Sequence, residues 1–301
     1  MDDTHGGTRA VRVVSEPLTL VAGKSSYRGS LAEIYAQRQL LRRLIGREIR
    51  AKYKGSSLGF LWSLVRPITL LLIYFVAIGQ FLGAARSIPD FAIFVFSGLT
   101  IWGLYAEIIT SGTGSILNNA GLVKKVYLPR EVFPLAAVGA SFINFLIQFG
   151  VLIIATVVLQ RFPFSWNLLY VPLSILLAMT FATALAILFS ALNVFLRDIQ
   201  HLVDVILLVL FWASPIVYSV KFVHQVIGNT FLEQVYLANP ITLAVLGMQK
   251  GMWGAGSEDS SQFWPDGLLL RLFLATLVSL VVLFFSHLVF RRLQGNFAQE
   301  L

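Results

Sequence analysis

Six stretches of the chain, 60–82, 91–111, 133–159, 168–195, 202–220 and 268–290, are long and apolar enough to cross a lipid bilayer as helices. A hydrocarbon core about 30 Å thick takes about 20 helical residues. Within it every backbone N–H and C=O must find a partner inside the protein, which favours helices for segments of this kind. Composition agrees: 57% of the residues are hydrophobic and 13% charged, against about 25% charged in soluble domains. The expected fold is an all-α polytopic membrane protein with six transmembrane helices. With no Cys present, disulfide scaffolds and thiolate metal centres are excluded.

The net charge of +8 is a matter of topology before it is a sign of nucleic-acid binding, and no nucleic-acid partner is expected. Lys and Arg number eleven before residue 58, three in 112–132, one at Arg197 and two at Arg291 and Arg292. The opposite loops hold Arg86, Arg161, Lys221 and Lys250. This asymmetry puts both termini in the cytoplasm. Residues 1–57 contain no apolar run followed by a small-residue cleavage site, so the first span is expected to act as its own insertion signal.

The pattern divides the chain into a cytoplasmic arm (1–30), an amphipathic helix (31–57) and a transmembrane domain (58–301). In the helix, Ile34, Leu41, Ile45, Ile49 and Tyr53 share one side. Arg43, Arg47, Arg50 and Lys54 share the other, within roughly 60°. Arg38, Arg42 and Lys52 break the pattern but can snorkel. Such a helix is expected to lie on the cytoplasmic leaflet, either as a plain positive-inside anchor or as a basic surface for an anionic headgroup or diphosphate. The loop 112–132 has helical potential over Ser115–Val126 and a stop at Pro129. Its mixed apolar and basic side chains suit a protein partner or the membrane surface. The segment 221–267 contains short apolar pieces broken at Asn239–Pro240, which read equally as re-entrant helices or as an external cap.

Catalytic signals are sparse. Gly23–Lys24–Ser25 imitates the end of a P-loop, but position 18 is Leu and the setting is wrong. ATP energy would then come from another polypeptide. The four His are scattered without metal-ligand spacing, and the external acids Glu258, Asp259 and Asp266 sit in a polar linker. Arg66 and Glu107 are ionisable residues within spans. They could pair or snorkel separately. Gly79 and Gly83 could permit close helix packing. Tyr74, Trp102, Tyr105, Trp212 and Tyr218 lie in or at the ends of three spans, as sugar-stacking faces or lipid-facing aromatics.

Several landmarks then converge. They are Arg47–Glu48–Ile49–Arg50, Tyr53–Lys54, Leu58–Gly59, Trp62 and Pro67; Asn118 with Leu128–Pro129–Arg130; Asn193 with Arg197–Asp198; Ser214–Pro215–Ile216–Val217–Tyr218; and Asn239–Pro240. From about residue 31 onward the chain resembles the ABC-type-2 polysaccharide export permeases, the family of Wzm, KpsM and TagG. The resemblance implies a six-span half-transporter that forms a homodimer in the bacterial inner membrane. Two copies of a separate, Wzt-like ATPase would carry the ATP and magnesium, so no cofactor is expected in this chain. The coupling loop would dock on that ATPase through Asn118, Leu122, Lys124, Lys125, Tyr127, Pro129 and Arg130. A polyprenyl-diphosphate-linked glycan would meet Arg47, Arg50 and Lys54 at a cytoplasmic gate bent at Leu58–Gly59. Its sugars would then pass over the span aromatics, and 221–266 would supply external gate helices. The overall look is similar to actinobacterial exporters of lipid-linked galactan, with O-antigen and teichoic acid left open. The rival readings are a drug or small-lipid exporter of the same superfamily, a glycan-assembly enzyme and a passive scramblase.

Overall fold

The computed structural model describes residues 37–53, 61–125, 128–258 and 262–301, and these form helices and turns only. Helix α1 (Arg38–Tyr53) precedes α2 (Trp62–Tyr74), which continues as a π-helix over Phe75–Phe81. Helix α3 (Phe91–Gly114) leads through a 3-10 turn (Leu117–Asn119) to the short α4 (Ala120–Lys125). Then come α5 (Val132–Val158), α6 (Tyr170–Phe195) and α7 (Ile199–Trp212). Four shorter helices follow: α8 (Val220–Ile227), α9 (Phe231–Ala238), α10 (Pro240–Met252) and α11 (Gly254–Glu258). The chain closes with α12 (Leu268–Leu293) and α13 (Phe297–Glu300).

The packing centres on α3. Every residue from Ile93 to Ile101 is buried, as a helix apolar on all sides requires. Helices α5, α6, α7 and α10 surround it, and α12 packs along α6. The closest approach is at Gly112, where an added Cβ would lie 2.5 Å from the Ala186 Cβ of α6. Buried hydroxyls do not disturb this apolar interior, because Thr100 and Thr113 of α3 and Ser174 and Thr180 of α6 donate to carbonyls four residues back in their own helices. A second, smaller core gathers Leu44 of α1, Ile116, Val123, Val132, Phe133, Phe290 and Phe297.

Among the described residues four helices are long and apolar enough to span, α3, α5, α6 with its lead-in turn from Trp166, and α12, and the bent pair α9–α10 would make a fifth if counted as one span. The first expected span is helical over Trp62–Phe81 but irregular, and the fifth is shorter than the sequence suggests. Pro67 removes a backbone donor inside α2, and regular α-geometry gives way to π-turns at Phe75. Gly83, at φ 76°, then ends the segment in the left-handed region. Gly79 packs against the Phe91 ring at the end of α3 rather than mediating a helix–helix crossing along the pair's length. Helix α7 stops at Trp212, eight residues before the expected end, because turns take over through Ser214–Pro215.

The amphipathic helix also differs from its expected setting. Leu44 is buried, and Leu40, Leu41 and Ile45 pack on the second core, with Ile45 against Gly139 of α5. Part of its apolar side therefore rests on protein. The break at Asn239–Pro240 is real: α9 and α10 meet at 79°, Asn239 Oδ1 caps the Ile241 N–H, and Pro240 takes the first helical position, where no donor is needed. Every residue of α10 from Ile241 to Gln249 is buried, so this piece packs inside the bundle rather than capping it.

Gly112→Val should force α3 and α6 apart at a cost of about 1–3 kcal/mol, the usual penalty for overfilling a packed core. The readout is a lower unfolding temperature in detergent. An unchanged temperature would mean that the two helices separate freely.

Candidate functional site

Between α2, α3, α5 and α7 lies a groove of about 780 Å³. Helix α2 contributes Trp62, Pro67, Leu70 and Tyr74, and α3 contributes Leu99, Trp102, Gly103, Ala106 and Glu107. From α7 come Asp204, Leu207, Leu208, Phe211 and Trp212, spaced so that one helical face meets the groove. Asn144 and Gln148 of α5, one turn apart, complete the lining together with Lys52 of α1.

One wall is aromatic. Phe211 is its hub, 5.8 Å from Tyr74 in a stacked arrangement and 5.5 Å from both Trp102 and Trp212 edge-on. These are the offset and edge geometries that aromatic rings prefer. The expected lining residues Tyr74, Trp102 and Trp212 are therefore brought together. Tyr105 is not among them: it is 1% exposed, turned toward α6 and stacked on Phe181 at 6.1 Å. Its hydroxyl finds no hydrogen-bond partner among the described residues. Tyr218 also leaves the groove, donating to the Trp212 carbonyl at 2.8 Å and lying 3.5 Å from the Tyr236 hydroxyl. It fastens the turn after α7.

The other wall is polar and converges on Glu107. One carboxylate oxygen accepts from Lys52 Nζ at 2.7 Å and from Asn144 Nδ2 at 2.6 Å. Glu107 thus pairs with the interface helix; the Arg66 side chain, its other expected partner, lies outside the described portion. Sequence reasoning set Lys52 aside as a break in amphipathicity and missed Asn144, Gln148, Asp204 and Phe211. The last two were detectable, since 204, 207, 208, 211 and 212 follow a single helical stripe.

A second tie joins α1 to the loop before α4. Arg47 donates to Asn119 Oδ1 and, at 3.1 Å, to Glu48. Asn119 in turn donates to the Ser115 carbonyl at 2.8 Å. Arg47 is therefore engaged, while Arg50 is exposed. Lys54, Leu58 and Gly59 fall outside the described residues.

The coupling-loop residues divide by direction. Asn118 and Lys124 are exposed, Leu122 is half-buried, Val123 faces the second core and Pro129 is buried. Arg130 sets its guanidinium over the Phe297 ring, 5.5 Å from the centroid. Pro129 and Arg130 thus fix the loop to the body of the protein. The Lys125 side chain and Tyr127 lie outside the described portion. Glu131, unnoticed in the sequence, is buried at the start of α5, where a helix dipole favours negative charge.

At the far end of the bundle, His224 of α8 and Glu233 of α9 meet at 2.7 Å, and Glu233 also accepts from the Asn229 amide. The hydrogen bond from His224 is the main influence holding the Glu233 carboxyl below the usual carboxylate range, against its burial. Phe263 stacks on the imidazole at 3.8 Å. Gln249 of α10 donates to the Pro215 carbonyl at 2.8 Å, tying the turn after α7 to the buried helix.

A bundle of long apolar helices around a groove, with one aromatic and one polar wall, defines a multi-pass membrane permease. The ABC-2 type transporter family model matches residues 39–253, and the chain belongs to that exporter family. It is 31% identical over 193 residues to an O-antigen export system permease protein RfbA of Myxococcus xanthus, covering 64% of this chain and 73% of that one. A Klebsiella pneumoniae protein of the same name is 30% identical over 177 residues, 58% of this chain and 67% of its own. The polysialic acid transport protein KpsM of Escherichia coli is 25% identical over 189 residues, 60% of this chain and 70% of that one.

Lys52 remains about half exposed, so its pairing with Glu107 should be modest despite the short distance. A thermal-unfolding cycle of Lys52→Ala, Glu107→Ala and the double variant should return a coupling of about 0.5 kcal/mol. Strict additivity would show that the two side chains do not interact.

Proposed function

We propose that this chain is the membrane subunit of an ATP-driven exporter that carries a polyprenyl-diphosphate-linked polysaccharide from the cytoplasm across the bacterial inner membrane. The observation that carries this reading is the two-walled groove. Aromatic faces at Tyr74, Trp102, Phe211 and Trp212 suit the C–H faces of sugar rings, and Asn144, Gln148 and Glu107 supply partners for hydroxyls. A purely greasy small-lipid cargo would gain nothing from the second wall. The names of the relatives support glycan as the cargo class; within it the sequence resemblance leans weakly to a galactan, with O-antigen and teichoic acid as the alternatives.

On this reading the working unit is a homodimer. The groove is open beside α2 and α7, which expose Leu72, Ile73, Val205 and Val209. A second copy would cover these side chains and close the groove into a channel. The two interrupted helices would then complete a six-pass topology, with both termini cytoplasmic. Leu44 near one end of the chain and Phe297 near the other share the second core, which supports placing them on one side. Arg50 becomes the described cation best placed for the diphosphate, since Arg47 is held by Asn119 and Glu48. Helices α8 to α11 form the external gate. Nucleotide, magnesium and catalysis would all belong to two copies of a separate ATPase docked at the α4 loop, and this chain itself would catalyse nothing.

Conditional depletion of the protein, followed by mass and linkage analysis of intracellular lipid-linked glycans, tests the cargo. Accumulation of one long polyprenyl-diphosphate glycan is expected, and its sugars identify the substrate. If none accumulates, the polysaccharide assignment fails and a small-molecule exporter takes its place.

Lys124 is exposed, so Lys124→Glu reverses a surface charge without disturbing the core. Co-purification with the ATPase should fall several-fold at an unchanged unfolding temperature. Full co-purification would remove α4 from the docking surface.

A further inference from the structure

A second concavity, of about 560 Å³, lies between α6 and α12, away from the groove. Leu169, Leu173 and Leu176 form one wall and Leu270 and Phe273 the other, and no polar side chain lines it. It sits at the end of α12 opposite Phe290, which packs in the second core with Leu44 of α1. Trp166, 95% exposed just before α6, marks this end as a headgroup-level interface. From Leu169 to Leu176 the wall runs about 10 Å along the helix. That is less than half of a hydrocarbon core of about 30 Å, so the concavity serves a single leaflet.

A cation lies one residue beyond its lining, at Tyr170. Helix α10 meets the start of α6 through Gly251, close enough that an added Cβ would lie 2.5 Å from Val171 and 3.2 Å from the Asn167 carbonyl. This contact places Lys250 beside Tyr170, the residue next to Leu169. Its Nζ lies 5.0 Å from the Tyr170 ring centroid and 5.5 Å from that of Trp264. No carboxylate among the described residues pairs with it. Two rings hold the ammonium by cation–π attraction and leave its N–H donors for an outside acceptor.

We propose that this concavity binds an anionic glycerophospholipid, with one acyl chain between α6 and α12 and the phosphate at Lys250. The apolar walls fit a hydrocarbon chain, and a half-buried ammonium near headgroup level attracts anionic over zwitterionic lipid. A second copy of the protein is the poorer occupant, because α12 is exposed along much of its length and the open groove faces the other way, beside α2 and α7. A polyprenyl anchor is the poorer lipid, because the walls cover only part of one leaflet. The proposal is independent of what the groove transports.

The test uses the full-length protein in nanodiscs made from equal amounts of phosphatidylglycerol and phosphatidylethanolamine with matched chains. Native mass spectrometry after transfer to detergent identifies the lipids retained. The wild type should keep phosphatidylglycerol in about fivefold excess, the effect of one Lys at a membrane surface. Lys250→Gln should bring the ratio to parity with total lipid retained. Leu270→Trp, a change at a 60% exposed position that fills the concavity without touching the core, should lose lipid of both kinds at an unchanged unfolding temperature. Equal retention by the wild type, a preference surviving in Lys250→Gln, or full retention in Leu270→Trp would each overturn the site. Displacement of phosphatidylglycerol by an added polyprenyl phosphate would also overturn it, and would assign the concavity to a polyprenyl anchor.

Discussion

Because α3 is apolar on all sides from Ile93 to Ile101, that stretch must be covered all round, and the requirement organises the molecule. Helices α5, α6, α7 and α10 supply the cover, and α6 comes closest because Gly112 faces Ala186 without a side chain between them. Burying α10 beside α3 has a further effect. It brings Gln249 to the Pro215 carbonyl and the Trp253 indole to the Pro89 carbonyl at 2.7 Å, so the turns after α7 and before α3 are both fastened to one helix. The far end of the bundle is thus pinned from inside. Backbone groups released by Pro215 and Pro89 find their donors in protein, as irregular chain within an apolar setting must.

The near end is held differently. Two polar ties, Arg47 to Asn119 and Lys52 to Glu107, connect α1 to the loop ahead of α4 and to α3. Both lie about two turns from the buried Leu44 or closer, so α1 is pressed onto the core by its apolar face and indexed by its charges. A displacement of the α4 loop would be transmitted to α1 through Asn119, and from α1 to the polar wall of the groove through Lys52. The same helix therefore touches both the α4 loop and the groove.

Much of this architecture was legible in the sequence. Long apolar runs locate α3, α5, α6 and α12 within a few residues, since their length and composition leave no other state in lipid. Asn239–Pro240 announces its own cap and first turn. The interrupted spans were less legible because apolar composition continues past the point where geometry changes: Gln80 apart, nothing in Phe75–Phe81 or Ile216–Val217 is polar, yet π-turns and loops begin there. Among site residues, periodicity finds a face but not its neighbour. Tyr105 and Trp102 are both aromatic on one helix, three residues apart, but one meets Phe181 inside the core and the other meets Phe211 in the groove. Lys52 looked like a flaw in an amphipathic pattern because its partner, Glu107, is 55 residues away.

The shortness of α7 has a mechanical consequence for the bilayer itself. Fourteen residues give about 21 Å of helix against about 30 Å of hydrocarbon, so lipid alongside α7 must thin or the ends must be bridged by protein. Mismatch of this size is accommodated by local deformation at a modest cost per ångström. The strain falls beside the groove, on the helix that carries Asp204 and Phe211. Where lipid does thin, the low-dielectric barrier is narrowest beside the groove.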